Sequence, residues 1–346
     1  MNLKQISTGA VARLRFRAST AAPRRGFTLI EMMVVILLVT LLTSIMIPVL
    51  SAASDSRRAR EGARVLSTML ATAQTQAEVS GRPAAVWIQR LKNSTGAVVN
   101  SSAAMELYLA EVPPPYLGDT LTSTASINGS TVTFSNASLT NANVQAGDVI
   151  RFSYRGESFY LSNINGNSAT IAPLDPTQTY PPGASLPFQI YRRPIKSAAS
   201  AVQLSDGVAI DLEFSGADFN SSMTGFNNPF TAGAGDAGQI IITFAPTGSL
   251  DLVYIVSSTA STQVFRPVSG VYLLIGRIDS IPIPPATTPT SPNQFNWQDF
   301  NSRWVAVGRQ SGLVTTSEVA SAATGTTANV ITSLRLARSS QNTGGN

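Results

Sequence analysis

Arg24-Arg25-Gly26-Phe27-Thr28-Leu29-Ile30-Glu31-Met32-Met33-Val34-Val35-Ile36-Leu37-Leu38 decides how this chain is read. A basic segment ends at Gly26, and the residues after it are apolar apart from one acid. From Met32 to Leu50 runs a stretch of 19 residues without a charge. As a helix rising 1.5 Å per residue, it nearly spans a ~30 Å hydrocarbon layer. The positive-inside bias keeps the basic end in the cytoplasm, which places the rest of the chain across the membrane.

Two plain readings compete for this segment. One is a secretory signal cut near Ser51-Ala52-Ala53, where small residues succeed the apolar run. The other is an uncleaved signal anchor. Neither accounts for Glu31, because a carboxylate near the start of a membrane helix costs a few kcal/mol and such residues mark function.

The segment resembles the processing site of type IV prepilins: a basic leader with Arg24 and Arg25, Gly26 before the cut, Phe27 after it, and Glu31 fifth in the mature chain. The resemblance implies that prepilin peptidase cleaves between Gly26 and Phe27 and methylates the new amino terminus of Phe27. It also implies assembly through the apolar helix, with other pilin or pseudopilin subunits and an inner-membrane assembly platform as partners. Glu31 then needs a cation once buried between helices, and the amino group of a neighbouring Phe27 supplies it. Such a pair sets register more than stability. The leader of 26 residues is longer than many in that family. Pro48, 22 residues into the mature chain, is a candidate kink, since proline removes a helical hydrogen bond; a proline merely tolerated near the membrane exit is the alternative.

Bulk composition agrees with a structural role. The chain has 346 residues, 12% charged, with neither cysteine nor histidine. That excludes disulfides, thiolate chemistry and any Ser-His-Asp or Cys-His site. No catalytic residue, cofactor or metal is expected. Lys4, Arg13, Arg15, Arg17, Arg24 and Arg25 account for six of the 24 basic residues, leaving 18 against 19 acids after Gly26. The basic balance belongs to the leader, so nucleic acid is not an expected partner.

Beyond the apolar run, Ala59, Ala63, Leu66, Leu70, Ala73 and Ala77 recur at 4-3-4-3-4 spacing, one apolar stripe of a continuing helix. Arg57, Arg58, Arg60, Glu61 and Arg64 form its solvated or headgroup-facing side. Gly81 and Pro83 end it. From Ala84 onward, short β-branched and aromatic runs alternate with Gly, Pro, Asn and Asp, which predicts strands and turns. The expected fold is α+β and pilin-like: a long N-terminal helix packed on an antiparallel β-sheet head with a β-rich insertion. The expected domains are the leader (1–26), the helix (27–80, in the membrane over 27–50), the head (81–319) and a mobile polar tail (320–346).

Parts of the head resemble GspH/FimT-type minor pseudopilins. Gly81-Arg82-Pro83-Ala84-Ala85-Val86 is similar to their first strand, and Ile242-Thr243-Phe244-Ala245-Pro246-Thr247-Gly248 to a hairpin phrase they carry. Trp304-Val305-Ala306-Val307-Gly308 with Gly312-Leu313-Val314 fits their last hairpin. Between these, residues 92–196 read as an insertion displayed outward, punctuated by Pro113-Pro114-Pro115 and Tyr180-Pro181-Pro182-Gly183.

Other signals carry less. Gly233-Ala234-Gly235-Asp236-Ala237-Gly238 matches a dinucleotide pattern, but a strand rather than a helix succeeds it. Asp206, Asp211, Glu213, Asp218 and Asp236 could offer oxygens to calcium, yet lack EF-hand spacing and read as solvated strand ends. Tyr154, Phe159, Tyr160, Phe295, Trp297 and Trp304 could line a carbohydrate site, although alternating aromatics in strands are more often core; Trp297 sits in the most polar surroundings and is the least core-like. Arg335 and Arg338 make a small footprint for DNA.

The expected protein is a non-enzymatic minor pilin or pseudopilin of a type II secretion pseudopilus or type IV pilus. Its expected place is single-pass in the inner membrane, with its head in the periplasm or on the filament. The alternative is a pilin-anchored module whose insertion binds glycan, protein or DNA.

Overall fold

The computed structural model describes residues 26–140, 142–154, 156–175, 177–217, 230–258, 262–283, 294–321 and 328–344, and omits the side chains of residues 45, 47–53, 328–329 and 342–344. It is α+β. The first helix, α1, covers Leu29–Ser80, 52 residues. The chain divides into two compact units at Leu50/Ser51. In the first unit the apolar side chains from Leu29 to Leu42, and Met46, are exposed. Among the described residues no helix is long and apolar enough to cross a membrane. The expected membrane segment, 27–50, is described only in part, and no span is found in it.

In the second unit two antiparallel strands come after α1, β1 (Ala84–Lys92) and β2 (Val98–Glu111). The chain then leaves for a separate sheet made of β3 (Thr124–Asn128), β4 (Thr131–Ser135), β5 (Val149–Phe152), β6 (Ser158–Asn165), β7 (Ser168–Pro173), β8 (Gly183–Leu186) and β9 (Phe188–Tyr191). It returns through β10 (Ile195–Lys196) and β11 (Val202–Gln203), both paired to β2. The main sheet is completed by β12 (Val208–Ala217), β13 (Gln239–Phe244), β14 (Leu250–Ile255), β15 (Gln263–Phe265), β16 (Gly270–Arg277), β17 (Arg303–Gly308) and β18 (Val314–Glu318). Its order is β15-β14-β13-β1-β2-β12-β16-β17-β18. Two short helices close the chain, α2 (Ala328–Ser333) and α3 (Arg335–Gly344).

Strand alternation gives the main sheet two different faces. Ala84, Val86, Ile88, Ile240 and Ile242 point at α1 and bury its stripe of Ala63, Leu66, Leu70, Ala73 and Ala77. Each of these stripe residues is fully buried. Gly62 lets the helix approach, since a Cβ there would lie 3.1 Å from Val208 Cγ1 and 3.3 Å from Ile275 Cγ2. The opposite parity, Ala85 and Ile241 with Leu252, Tyr254 and Val264, packs against Val149, Tyr160 and Tyr191 of the second sheet.

That second sheet closes on itself. Its order is β8-β3-β4-β7-β6-β5-β9, and its two edge strands are consecutive pieces of one segment separated only by Pro187. Proline cannot donate to a ladder, and Ser185, two residues before it, has φ 57°, so the segment changes partners there. The result is a small antiparallel barrel. Val132, Phe134, Ile150, Phe152, Phe159, Leu161, Ile171, Phe188 and Ile190 fill its interior.

Three expectations are corrected. The separate module is not 92–196: β2 belongs to the main sheet, and the barrel strands run from Thr124 to Tyr191. The module is not simply displayed outward, because Val149, Tyr160 and Tyr191 give it an apolar side that docks on the sheet. The end of the chain is not all mobile tail: Val330, Leu334 and Ala337, at 4-3 spacing, bury α2 and α3 against Tyr272, Leu274, Trp304 and Ala306. Barrel and terminal helices thus cover the sheet face that α1 leaves open.

Candidate functional site: the start of the first helix

Gly26 and Phe27 lie in non-helical chain before α1. A Cβ built on Gly26 meets nothing within 4 Å, and Phe27 is 73% exposed. Thr28 then caps the helix. The Glu31 N–H donates to Thr28 Oγ1 at 3.2 Å, and the Met32 N–H donates to the Thr28 carbonyl at 3.2 Å. Glu31 is therefore third in the first turn, where the positive end of the helix dipole favours a carboxylate. Its side chain is exposed among Leu29, Ile30, Met32 and Met33, also exposed. Sequence reading missed Thr28, although Thr28-Leu29-Ile30-Glu31 has the S/T-x-x-E form of a helix start.

This arrangement suits proteolysis and assembly in turn. The Gly26–Phe27 linkage is exposed and lies outside the helix. The helix after it is fixed in register by its cap. Arg24 and Arg25 lie outside the described residues. Pro48 lies within the single helix α1, and its side chain is not among those described.

The other candidates do not converge on a site. Asp211 is fully buried in mid-strand, not at a solvated strand end. Its Oδ1 accepts N–H bonds from Glu213 and Phe214 at 3.1 and 3.3 Å, and its Oδ2 accepts from Asn296 Nδ2 at 3.0 Å. Burial pushes its carboxyl up to about 7. Glu213 accepts from Ser102 Oγ at 2.9 Å, and burial raises its carboxyl too. Asp236 organises its own loop, accepting from the N–H groups of Gly238 and Ser258 at 2.8 and 2.9 Å and from Ser257 Oγ at 2.7 Å. Asp206 is exposed, and Asp218 lies outside the described residues. Among the described residues no group of three or more acids could hold a metal ion. The glycine pattern at 233–238 leads straight into β13, so it has no helix N-terminus to offer a phosphate.

Trp297 is a correction. It is fully buried, in one cluster with Phe214, Phe295 and Trp304. Phe159 lies in the barrel core and Tyr160 at its junction with the sheet, while Tyr154 is 52% exposed. Arg335 and Arg338 stand on α3, with the Arg338 guanidinium 5.8 Å from the Tyr272 ring centroid.

The model of the prokaryotic N-terminal methylation motif matches residues 22–47. No curated protein and no solved structure matches the chain. The matched segment contains Gly26, Phe27, the Thr28 cap and Glu31, and it supports a type IV prepilin-like start to the chain. The motif implies a membrane-anchored, pilin-like protein that is processed by prepilin peptidase and assembles with other pilin subunits.

Proposed function

We propose that this protein is a minor pilin or pseudopilin, a non-catalytic subunit of a type II secretion pseudopilus or type IV pilus. The observation that carries this reading is the meeting, in one short segment, of the methylation motif, an exposed Gly26–Phe27 linkage and a capped helix bearing Glu31. Cleavage between Gly26 and Phe27 exposes the amino group of Phe27 for methylation. Glu31, one turn along, then meets the Phe27 amino group of a neighbouring subunit as the apolar helix faces pack. The head stands on the periplasmic side. A head carrying a barrel and two added helices is bulky for a densely repeated subunit, which favours a minor or tip position.

Intact-mass and N-terminal peptide analysis of the membrane fraction, with and without prepilin peptidase, tests this. The expected mature chain begins at N-methyl-Phe27 and is absent without the peptidase. Gly26→Val leaves the chain uncut while the head folds normally, because nothing contacts that position. A chain beginning near Ser54, or one uncut with the peptidase present, overturns the reading. Glu31→Gln is cut normally but fails to enter sheared filaments.

A further inference from the structure

One cleft of about 500 Å³ lies at an end of the main sheet. Its walls are the turn before β16 (Val268, Ser269), the β17–β18 turn (Arg309, Gln310, Ser311) and Gln341 of α3. Its volume falls within the range of small-ligand pockets, ~300–1,000 Å³. Gln341 is fixed there by its amide, which donates to the carbonyls of Ala306 and Leu313 at 2.9 and 3.1 Å. Arg309 is fixed at both ends: its N–H donates to the Ser269 carbonyl at 3.0 Å, and its Nη1 to the Val268 carbonyl at 3.2 Å. That side-chain bond uses one of the five donors a guanidinium carries. No acidic side chain is among the described residues that line the cleft.

The chemistry narrows the ligand. A guanidinium in an acid-free cleft calls for an anion, and its planar fork matches a carboxylate. The Gln310 amide, the Gln341 side-chain carbonyl and two hydroxyls beside it can exchange hydrogen bonds with hydroxyl groups, the Gln341 NH2 being taken up by Ala306, Leu313 and Thr315. Tyr272, the one aromatic residue of the described lining, is buried, so there is no platform for stacked bases. Turns and a helix bound the cleft rather than an edge strand, so an extended peptide has no ladder to join. From these features we infer that the cleft binds a carboxylate-bearing saccharide, with Arg309 on the carboxylate and Gln310, Ser269, Ser311 and Gln341 on the hydroxyls. Because Gln341 belongs to α3, the bound sugar also holds the terminal helix in place.

Calorimetric titration of the full chain in detergent micelles tests the site, using a galacturonate trisaccharide, neutral maltotriose and acetate as probes. The expected result is saturable binding of the galacturonate trisaccharide, at least tenfold tighter than maltotriose or acetate. Arg309→Gln then weakens it at least tenfold and Gln341→Ala severalfold, with near-ultraviolet circular dichroism unchanged. Arg266→Gln, which removes a surface ion pair with Asp251, leaves binding as it was. No saturable binding of the trisaccharide up to millimolar concentration overturns the inference. So does equal binding of maltotriose or of acetate, or an Arg309→Gln protein that binds as the parent does.

Discussion

Asp211 and Asn296, 85 residues apart in sequence, meet inside the head, where Asn296 Nδ2 donates to Asp211 Oδ2 at 3.0 Å. The bond ties β12 to the loop before β17, and Asn296 Nδ2 also reaches the carbonyl of Arg277 at 3.1 Å. Glu213, Phe214 and Asn296 all donate to the Asp211 carboxylate, so the charged form is hydrogen-bonded although burial opposes it.

A pH dependence arises from this pair and from Asp148. Burial pushes Asp211 up to about 7 and Asp148 up to about 6, from 3.8 for both. Between pH 4 and 7 the folded state therefore holds more protons than the unfolded one. These two groups contribute their stability in full below pH 4 and lose it as pH rises through 6 and 7. Asn296→Ala removes a donor that favours the charged form, so Asp211 rises further and the loss of stability extends to higher pH. It also costs about 1–3 kcal/mol by stranding buried polar atoms. Urea unfolding of both proteins at intervals from pH 4 to 8 measures each effect, and parallel curves contradict the account.

The cap at Thr28 gives a local prediction. Thr28→Ala removes the acceptor of the Glu31 N–H and costs about 1 kcal/mol, roughly a fivefold change in opening of the first turn. Hydrogen exchange in micelles is expected to speed up at Glu31, with amides near Leu70 unchanged. Thr28→Ser restores the slow rate. Equal exchange in all three proteins shows that Thr28 does not hold the turn.

Helix docking is tested at Leu70. It is fully buried between α1 and the sheet, so Leu70→Ala costs about 2–5 kcal/mol through lost contact and a residual cavity. Thr72, two residues on and exposed, changes stability by no more than about 0.5 kcal/mol when replaced by Ala. Gly62→Leu drives a side chain toward Val208 and Ile275, already 3.1 and 3.3 Å from a built Cβ, and lifts the helix. Denaturant midpoints tracked by tryptophan fluorescence rank the three, and a Leu70→Ala protein as stable as Thr72→Ala contradicts the packing described.

The range of the forces involved decided which features were legible in the sequence. The stripe from Ala59 to Ala77 was readable because burial on one helix face has a period that short stretches reveal. The Gly26–Glu31 segment was readable because its basic leader, small residue and lone acid are neighbours. Closure of the barrel was not, since it depends on one segment, 183–191, pairing with two strands far from each other in sequence. Trp297 misled because its neighbours Asn293, Gln294, Asn296 and Gln298 are polar, while its burial comes from Phe214 and Trp304. At the end of the chain, Ser, Thr, Asn and Gly masked the three apolar residues that dock α2 and α3.

Those three residues carry the last prediction. Among the described residues, Val330, Leu334 and Ala337 are the buried apolar contacts of the α2–α3 segment, and Leu334 is fully covered. The helices are short, and α3 is rich in Ser, Asn, Thr and Gly, so packing rather than propensity holds them. Leu334→Asp places a carboxylate against Trp304 and Leu274 and unseats both helices, while α1 and the barrel keep their own cores. Tryptophan emission then shifts to the red as the cluster of Trp297 and Trp304 meets water. Trypsin cuts after Arg335 and Arg338 much faster than in the parent. Leu336→Asp, two residues on and 41% exposed, leaves both signals unchanged. If Leu334→Asp cleaves and emits as the parent does, the terminal helices are not held by this cluster, and the sheet face beneath them is open in the native protein.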